Sequence, residues 1–121
     1  MIDHIGIRVS DYERAKQFYT QALQPLGYQL FMEGSSGAGF RKEMIPDFWV
    51  KLGTPAPSIH IAFAAADRAT VDAFHKAALA AGGRDNGAPG LRPQYHPNYY
   101  GAFILDADGY NIEAVCHRPA E

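Results

Sequence analysis

A single cysteine, Cys116, leaves this 121-residue chain without any internal disulfide. The disulfide frameworks of small secreted domains are therefore excluded, and the fold must stand on its core. An excess of one charge is missing too. Eleven Lys and Arg against thirteen Asp and Glu give a net charge of −2, with no basic patch for a phosphate backbone and no charged tail. No apolar run is long enough to span a membrane. Neither a glycine-rich phosphate loop nor a recognisable nucleophile motif occurs. Strand-like residues begin directly after Met1, which leaves no room for a signal peptide. These absences give the expectation of a cytoplasmic protein whose partner is neither nucleic acid nor membrane.

What is present is an internal repeat. Nearly half the residues are apolar, enough for one compact domain over residues 1–121. Shifting the chain by 56 positions lays HIGIRVSDYERAKQFYTQALQPLG, from His4, over HIAFAAADRATVDAFHKAALAAGG, from His60, with seven of 24 positions identical. Each copy reads as an alternating strand, a polar cap and a helix with one apolar stripe. The stripes are Ala15, Phe18, Tyr19, Ala22 and Leu23, and Val71, Phe74, His75, Ala78 and Leu79. Ser10 with Glu13 has the capping-box spacing, Asp67 opens the second helix, and Gly27 and Gly83 stand where left-handed C-caps belong. Short strand-like runs follow each helix, although they are weak after Arg84. The pattern predicts an α+β fold of two tandem strand–helix–strand–strand–strand modules. The first covers about residues 1–53, the linker Thr54–Ser58, and the second about residues 59–118.

Three polar residues interrupt the apolar strands. His4 in DHIGIRV, His60 in SIHIAFA and Glu113 in NIEAVC each alternate with apolar neighbours, so they should point away from the core. Two imidazoles and a carboxylate form a complete donor set for a divalent ion with open positions. The bland alternative is three half-solvated residues lining a groove. His75, on a helix stripe, reads as a packed, hydrogen-bonded histidine, and His117 and Arg118 as surface residues. The segment Gly87–Tyr100 reads as a long proline-braced loop. Its Arg92, Tyr95, His96 and Tyr100 are candidate substrate contacts, with Trp49 as a candidate cavity wall.

The duplicated pattern resembles the vicinal-oxygen-chelate superfamily, which includes glyoxalase I, fosfomycin-resistance thiol transferases, bleomycin-resistance proteins and extradiol dioxygenases. The segment DADGYNIEAV, Asp106 to Val115, is similar to the family's turn before a ligand strand, with Ala107 at the usual proline. The resemblance implies two βαβββ modules whose curved mixed sheets enclose a cavity. It also implies metal ligands at His4, His60 and Glu113, with Glu113 taking a catalytic part. The implied cofactor is Zn, Mn, Ni or Fe, and the implied assembly a homodimer in which His4 of one chain joins His60 and Glu113 of the other. The implied activity is Lewis-acid chemistry on a small substrate with adjacent oxygens, of lyase, thiol-transferase or ring-cleaving type. The alternative is a non-catalytic, drug-sequestering protein. Glyoxalase-type members carry a fourth ligand on the last strand of the first module. Laying DFWVKLG over YNIEAVC puts Val50 opposite Glu113, and a shift by one offers only Trp49 or Lys51, so no carboxylate stands there, while Glu43 lies nearby in sequence.

Overall fold

The computed structural model describes residues 1–120; Glu121, the end of the expected domain, lies outside the described residues. The first half runs β1 (Ile5–Val9), α1 (Tyr12–Ala22), a 3-10 turn (Gln24–Leu26), β2 (Gln29–Glu33), β3 (Gly37–Arg41) and β4 (Phe48–Leu52). The second runs β5 (His60–Ala64), α2 (Arg68–Ala80), β6 (Arg84–Leu91), β7 (Tyr100–Leu105) and β8 (Asn111–Cys116). Each half forms a four-stranded mixed sheet, ordered β1-β4-β3-β2 and β5-β8-β7-β6. The first and last strands of each module pair in parallel, and the remaining pairs are antiparallel. The architecture is thus α+β, two tandem modules whose sheets do not close on one another.

Strand alternation sends one face of each sheet to the helices. Ile7, Val9, Phe48 and Val50 from the first sheet meet Ile61, Phe63, Ile112 and Ala114 from the second in one buried cluster with Phe18, Tyr19 and Phe74. Phe63 bridges the halves, with its ring edge-on to Phe48 at 5.3 Å and to Tyr28 at 5.4 Å. Aromatic pairs in that geometry add to the area they bury.

Both helices are capped by the aspartates that the repeat aligns. Asp11 accepts from the amide of Arg14 at 3.1 Å, and Asp67 from that of Thr70 at 2.8 Å. The Ser10–Glu13 capping box does not form. Ser10 instead donates its hydroxyl (2.6 Å) and its amide (3.1 Å) to Asp108 of the second module. The helix ends differ as well. Gly27 is left-handed, with φ +89°, as a C-cap requires. At the second helix the left-handed residue is Gly82, with φ +102°, and not Gly83. Gly83 is there for space, because a Cβ would fall 2.5 Å from Ile104 Cγ2 and 2.9 Å from the Ala78 carbonyl.

The Asp106–Tyr110 turn fastens the modules together. Asp106 is buried and accepts from Tyr19 Oη at 2.5 Å and from the amides of Tyr110 and Asp108. Burial raises its pKa, against the pull of those hydrogen bonds. Burial likewise lifts the Tyr19 hydroxyl well above its ordinary value, helped by the Asp106 charge, so it stays a donor. Tyr110 donates to the Arg8 carbonyl at 2.6 Å and accepts from the Ala56 amide at 2.9 Å, tying β1 and the linker to the same turn.

Candidate functional site

The outward faces of the two sheets carry the polar residues. In the second sheet His60 pairs with Asn111 and Ala62 with Glu113, so His60 and Glu113 share the face opposite Ile61, Ile112 and Ala114. The alternation in the sequence holds there. Glu113 is nonetheless fully buried, because outward-facing neighbours cover it. His60 Nε2 lies 2.8 Å from Glu113 Oε1, and the Tyr99 hydroxyl donates to Oε2. A buried carboxylate needs such partners, since leaving one unpaired is costly. With Tyr95 and Phe103 these three side chains line a cavity of about 340 Å³.

The Tyr99 hydroxyl is raised above the ordinary tyrosine range, by burial first and then by its hydrogen bond to Glu113. At neutral pH it is a donor to the carboxylate and not a base.

His4 stands elsewhere. It precedes β1 instead of lying within it, is exposed, and holds Asp3 Oδ1 through Nδ1 at 2.7 Å. It borders a cleft of about 690 Å³ on the outward face of the first sheet, together with Asp3, Gly37, Ile45, Trp49 and Lys51. Within one chain, then, two of the three expected ligands meet and the third faces a separate cavity. Among the described residues no three His, Cys, Asp or Glu side chains gather as a metal cluster.

The expected substrate contacts divide. Trp49 lines the first cleft and Tyr95 the second. Arg92 spends its guanidinium on the Gly90 (2.9 Å) and Ala88 (2.8 Å) carbonyls and stacks over Phe103. His96 points to His117, with Nε2 to Nδ1 at 2.7 Å and the rings stacked. Tyr100 turns to the helix side, where its hydroxyl donates to Asp72 of α2 at 2.6 Å. His75 is hydrogen-bonded as expected, to Asp85 at 2.9 Å. The loop is shorter than its composition suggested. Residues 87–91 belong to β6, an edge strand bulged on either side of Gly87, where Pro89 interrupts the ladder.

Tyr99 is the residue that the sequence reading passed over. Parity could have found it. Ala102 and Ile104 face the core, so Tyr100 must too, and Tyr99 must share the outward face with Phe103 and Glu113. Parity also corrects the first module. Ile5 pairs with Phe48 as Ile61 pairs with Ile112, and Gly6 with Trp49 as Ala62 with Glu113. The residue matching Glu113 is therefore Trp49, not Val50, which is buried on the core face. The first module still offers no carboxylate at that position.

A family model described as the glyoxalase/bleomycin resistance protein/dioxygenase superfamily matches residues 1–114. Among solved structures, a glyoxalase/bleomycin resistance protein from Albidiferax ferrireducens T118 is 31% identical over 97% of this chain and 98% of its own, with a TM-score of 0.81. TioX from Micromonospora sp. ML1 is 15% identical over 98% of this chain and 99% of its own, at TM-score 0.73. A glyoxalase I mutant from Zea mays is 23% identical, at TM-score 0.70, over 94% of this chain but 46% of its own. The last two show likeness of fold alone. No curated protein matches the chain.

Proposed function

The chain belongs to the glyoxalase/bleomycin resistance protein/dioxygenase superfamily, and we propose that it acts there as a divalent-metal-dependent enzyme on a small substrate with adjacent oxygens. His60 and Glu113 hold the ion, and His4 of a second copy supplies the third donor. The observation that carries this reading is the convergence of His60 Nε2 and Glu113 Oε1 at 2.8 Å on the floor of an aromatic cavity.

The donor chemistry fits. Imidazole and carboxylate suit Zn, Mn, Ni or Fe(II) and leave positions free for substrate oxygens. His4 has the habit of a ligand, since its Nδ1 is held by the Asp3 carboxylate. That leaves Nε2 as the free nitrogen, with a carboxylate behind it to fix the ring and raise its basicity. Its exposed position suits it to reach a second copy. When bound, the ion supplies Lewis acidity, polarising a substrate oxygen and stabilising the charge that develops on it.

The chain's own residues do the rest. Glu113 brings the negative charge, and its burial keeps water from competing for it. Tyr99 is a positioning residue that holds the second carboxylate oxygen, so Glu113 keeps one orientation. Phe103 and Tyr95 form apolar walls that orient a small substrate and exclude water.

A second reading has its own support. His60, Glu113 and Tyr99 satisfy one another by hydrogen bonds, an arrangement that also suits a binding protein that sequesters an aromatic compound. Metal uptake separates the two. Wild-type protein dialysed against Mn, Ni, Zn or Fe(II) should retain roughly one ion per chain, and Glu113→Gln should lose both retention and turnover. The turnover screen takes hemithioacetals, fosfomycin with thiols, and catechols. A wild type that takes up no ion and turns over nothing, yet binds an aromatic compound tightly, would establish the sequestering reading instead.

A further inference from the structure

Two imidazoles in contact, His96 and His117, take no part in the proposed metal site. We propose that they form a proton-sensitive latch, opened by acid, that fixes the turn between β6 and β7 against β8 and so positions Tyr99. This goes beyond the metal-dependent reading and holds whether the cavity takes an ion or an aromatic compound.

Eight residues, Arg92 to Tyr99, connect β6 to β7, and they supply two of the cavity walls, Tyr95 and Tyr99. The backbone bonds of the turn are internal. The Arg92 amide reaches the Tyr99 carbonyl at 2.7 Å, and the amides of Tyr95 and Tyr99 reach the carbonyls of Arg92 and His96. Two side-chain bonds carry the turn onto the end of β8. One runs from Tyr99 to Glu113. The other joins His96 Nε2 to His117 Nδ1 at 2.7 Å. His117 follows β8 directly, four residues on from Glu113 and so of the same outward parity. Both imidazoles lie edge-on to the Tyr99 ring, with centroids 5.5 and 5.3 Å away. A latch that slips therefore takes Tyr99 with it.

The proton count of the pair is set by its surroundings. The Asn98 amide donates to His96 Nδ1 at 3.1 Å, so that nitrogen carries a lone pair. The neutral ring must then hold its one hydrogen on Nε2. His96 is thus the donor and His117 Nδ1 the acceptor, and His117 keeps its own hydrogen on Nε2. Both lone pairs are in use, one by the Asn98 amide and one by His96. An added proton breaks one bond wherever it settles: the tie to β8 or the turn around Asn98.

No carboxylate stands ready to offset that loss. The histidines paired with carboxylates are His4, His60 and His75. Glu113 lies beyond Tyr99 and is already held by Tyr99 and His60. The other titratable neighbours are the phenols of Tyr95 and Tyr99 on the turn and the buried Cys116 thiol on β8. Arg92, at the base of the turn, is held by two carbonyls. Arg118, beside His117, acts on Asp67 at the α2 cap.

Imidazoles take up protons between about pH 8 and pH 5. The test follows that span by NMR on the full chain in EDTA, which keeps ions off His60 and Glu113. At the alkaline end, long-range proton–nitrogen spectra should show both rings as the Nε2–H tautomer. Towards the acid end, amide protection at Tyr95 and Tyr99, corrected for intrinsic exchange, should fall about two- to tenfold, as one hydrogen bond is lost. His117→Ala should be loose at both ends. His117→Asn puts a carbonyl that does not titrate where Nδ1 stood, so it should keep the turn protected in acid. His60 is intact in that variant, which removes it as the source of the effect. Wild-type protection that does not fall, an equal fall in His117→Asn, or a His96 hydrogen on Nδ1 at the alkaline end would overturn the latch. Metal retention is a separate readout, and its failure would leave these values unmoved.

Discussion

Superposed by register, the two modules match strand for strand, yet their outward faces carry opposite contents. Gly39 and Trp49 face each other in the first sheet, Phe103 and Glu113 in the second. The core faces do not diverge in this way. Phe48 and Val50 correspond to Ile112 and Ala114, all buried and apolar. A duplicated fold constrains the face that packs on the helices, because every side chain there must fill a shared volume. The face turned away from the helices is free to specialise. One module has kept a carboxylate with its hydrogen-bonding partners, and the other has built a flat aromatic floor on glycine.

The same lesson holds at the helix ends, where aligned residues serve different physical needs. Gly27 supplies a left-handed backbone, with only the flexible Lys42 side chain at ordinary contact distance, while Gly83 supplies the absence of a side chain. Alanine should tell them apart. Gly83→Ala forces a methyl against Ile104 and the Ala78 carbonyl and should cost about 1–3 kcal/mol as overpacking. Gly27→Ala should cost about 1–2 kcal/mol, the strain of a left-handed non-glycine residue. Urea midpoints check the values. Structures of the variants check the cause, since Gly83→Ala must displace Ile104 or Phe18, whereas Gly27→Ala leaves the core unmoved. Equal displacement in both would erase the distinction.

Where the repeat keeps one role, substitution should give one answer. Asp11→Ala and Asp67→Ala each remove a helix cap and should each cost about 1 kcal/mol. Ser10→Ala should leave helix α1 intact, because Ser10 bonds Asp108 across the modules. Amide exchange in the first turn of α1 reads this directly. Faster exchange at Arg14 belongs to Asp11→Ala and not to Ser10→Ala.

How much of this was legible in the sequence depended on which rule applied. The repeat, the strand–helix–strand–strand–strand succession of each half and the facing of His60 and Glu113 rest on periodicity, which a sequence carries openly. Ser10 was misread because a capping box and the Asp11 cap overlap within two residues, and only the packing of Asp108 against Ser10 separates them. The β6 strand was hidden by Gly87, Pro89 and Gly90, which read as loop although the chain accommodates them as bulges on an edge. Whether Trp49 or Val50 matches Glu113 turns on a single residue of register, which exchanges the two faces of a strand, and the β1–β4 pairing selects Trp49. The separation of His4 from its expected partners lay beyond any local signal. It follows from how two sheets are set about one core.

That separation makes the shared site the central claim, and subunit mixing tests it most directly. His4→Ala and Glu113→Gln chains, each prepared alone, should retain little metal. Mixed and allowed to exchange, they should recover roughly a quarter of the wild-type metal content, because random pairing makes half the dimers mixed and each mixed dimer holds one intact site of two. Wild-type protein that loads fully while the mixture stays as empty as its components would contradict the claim and confine the site to a single chain.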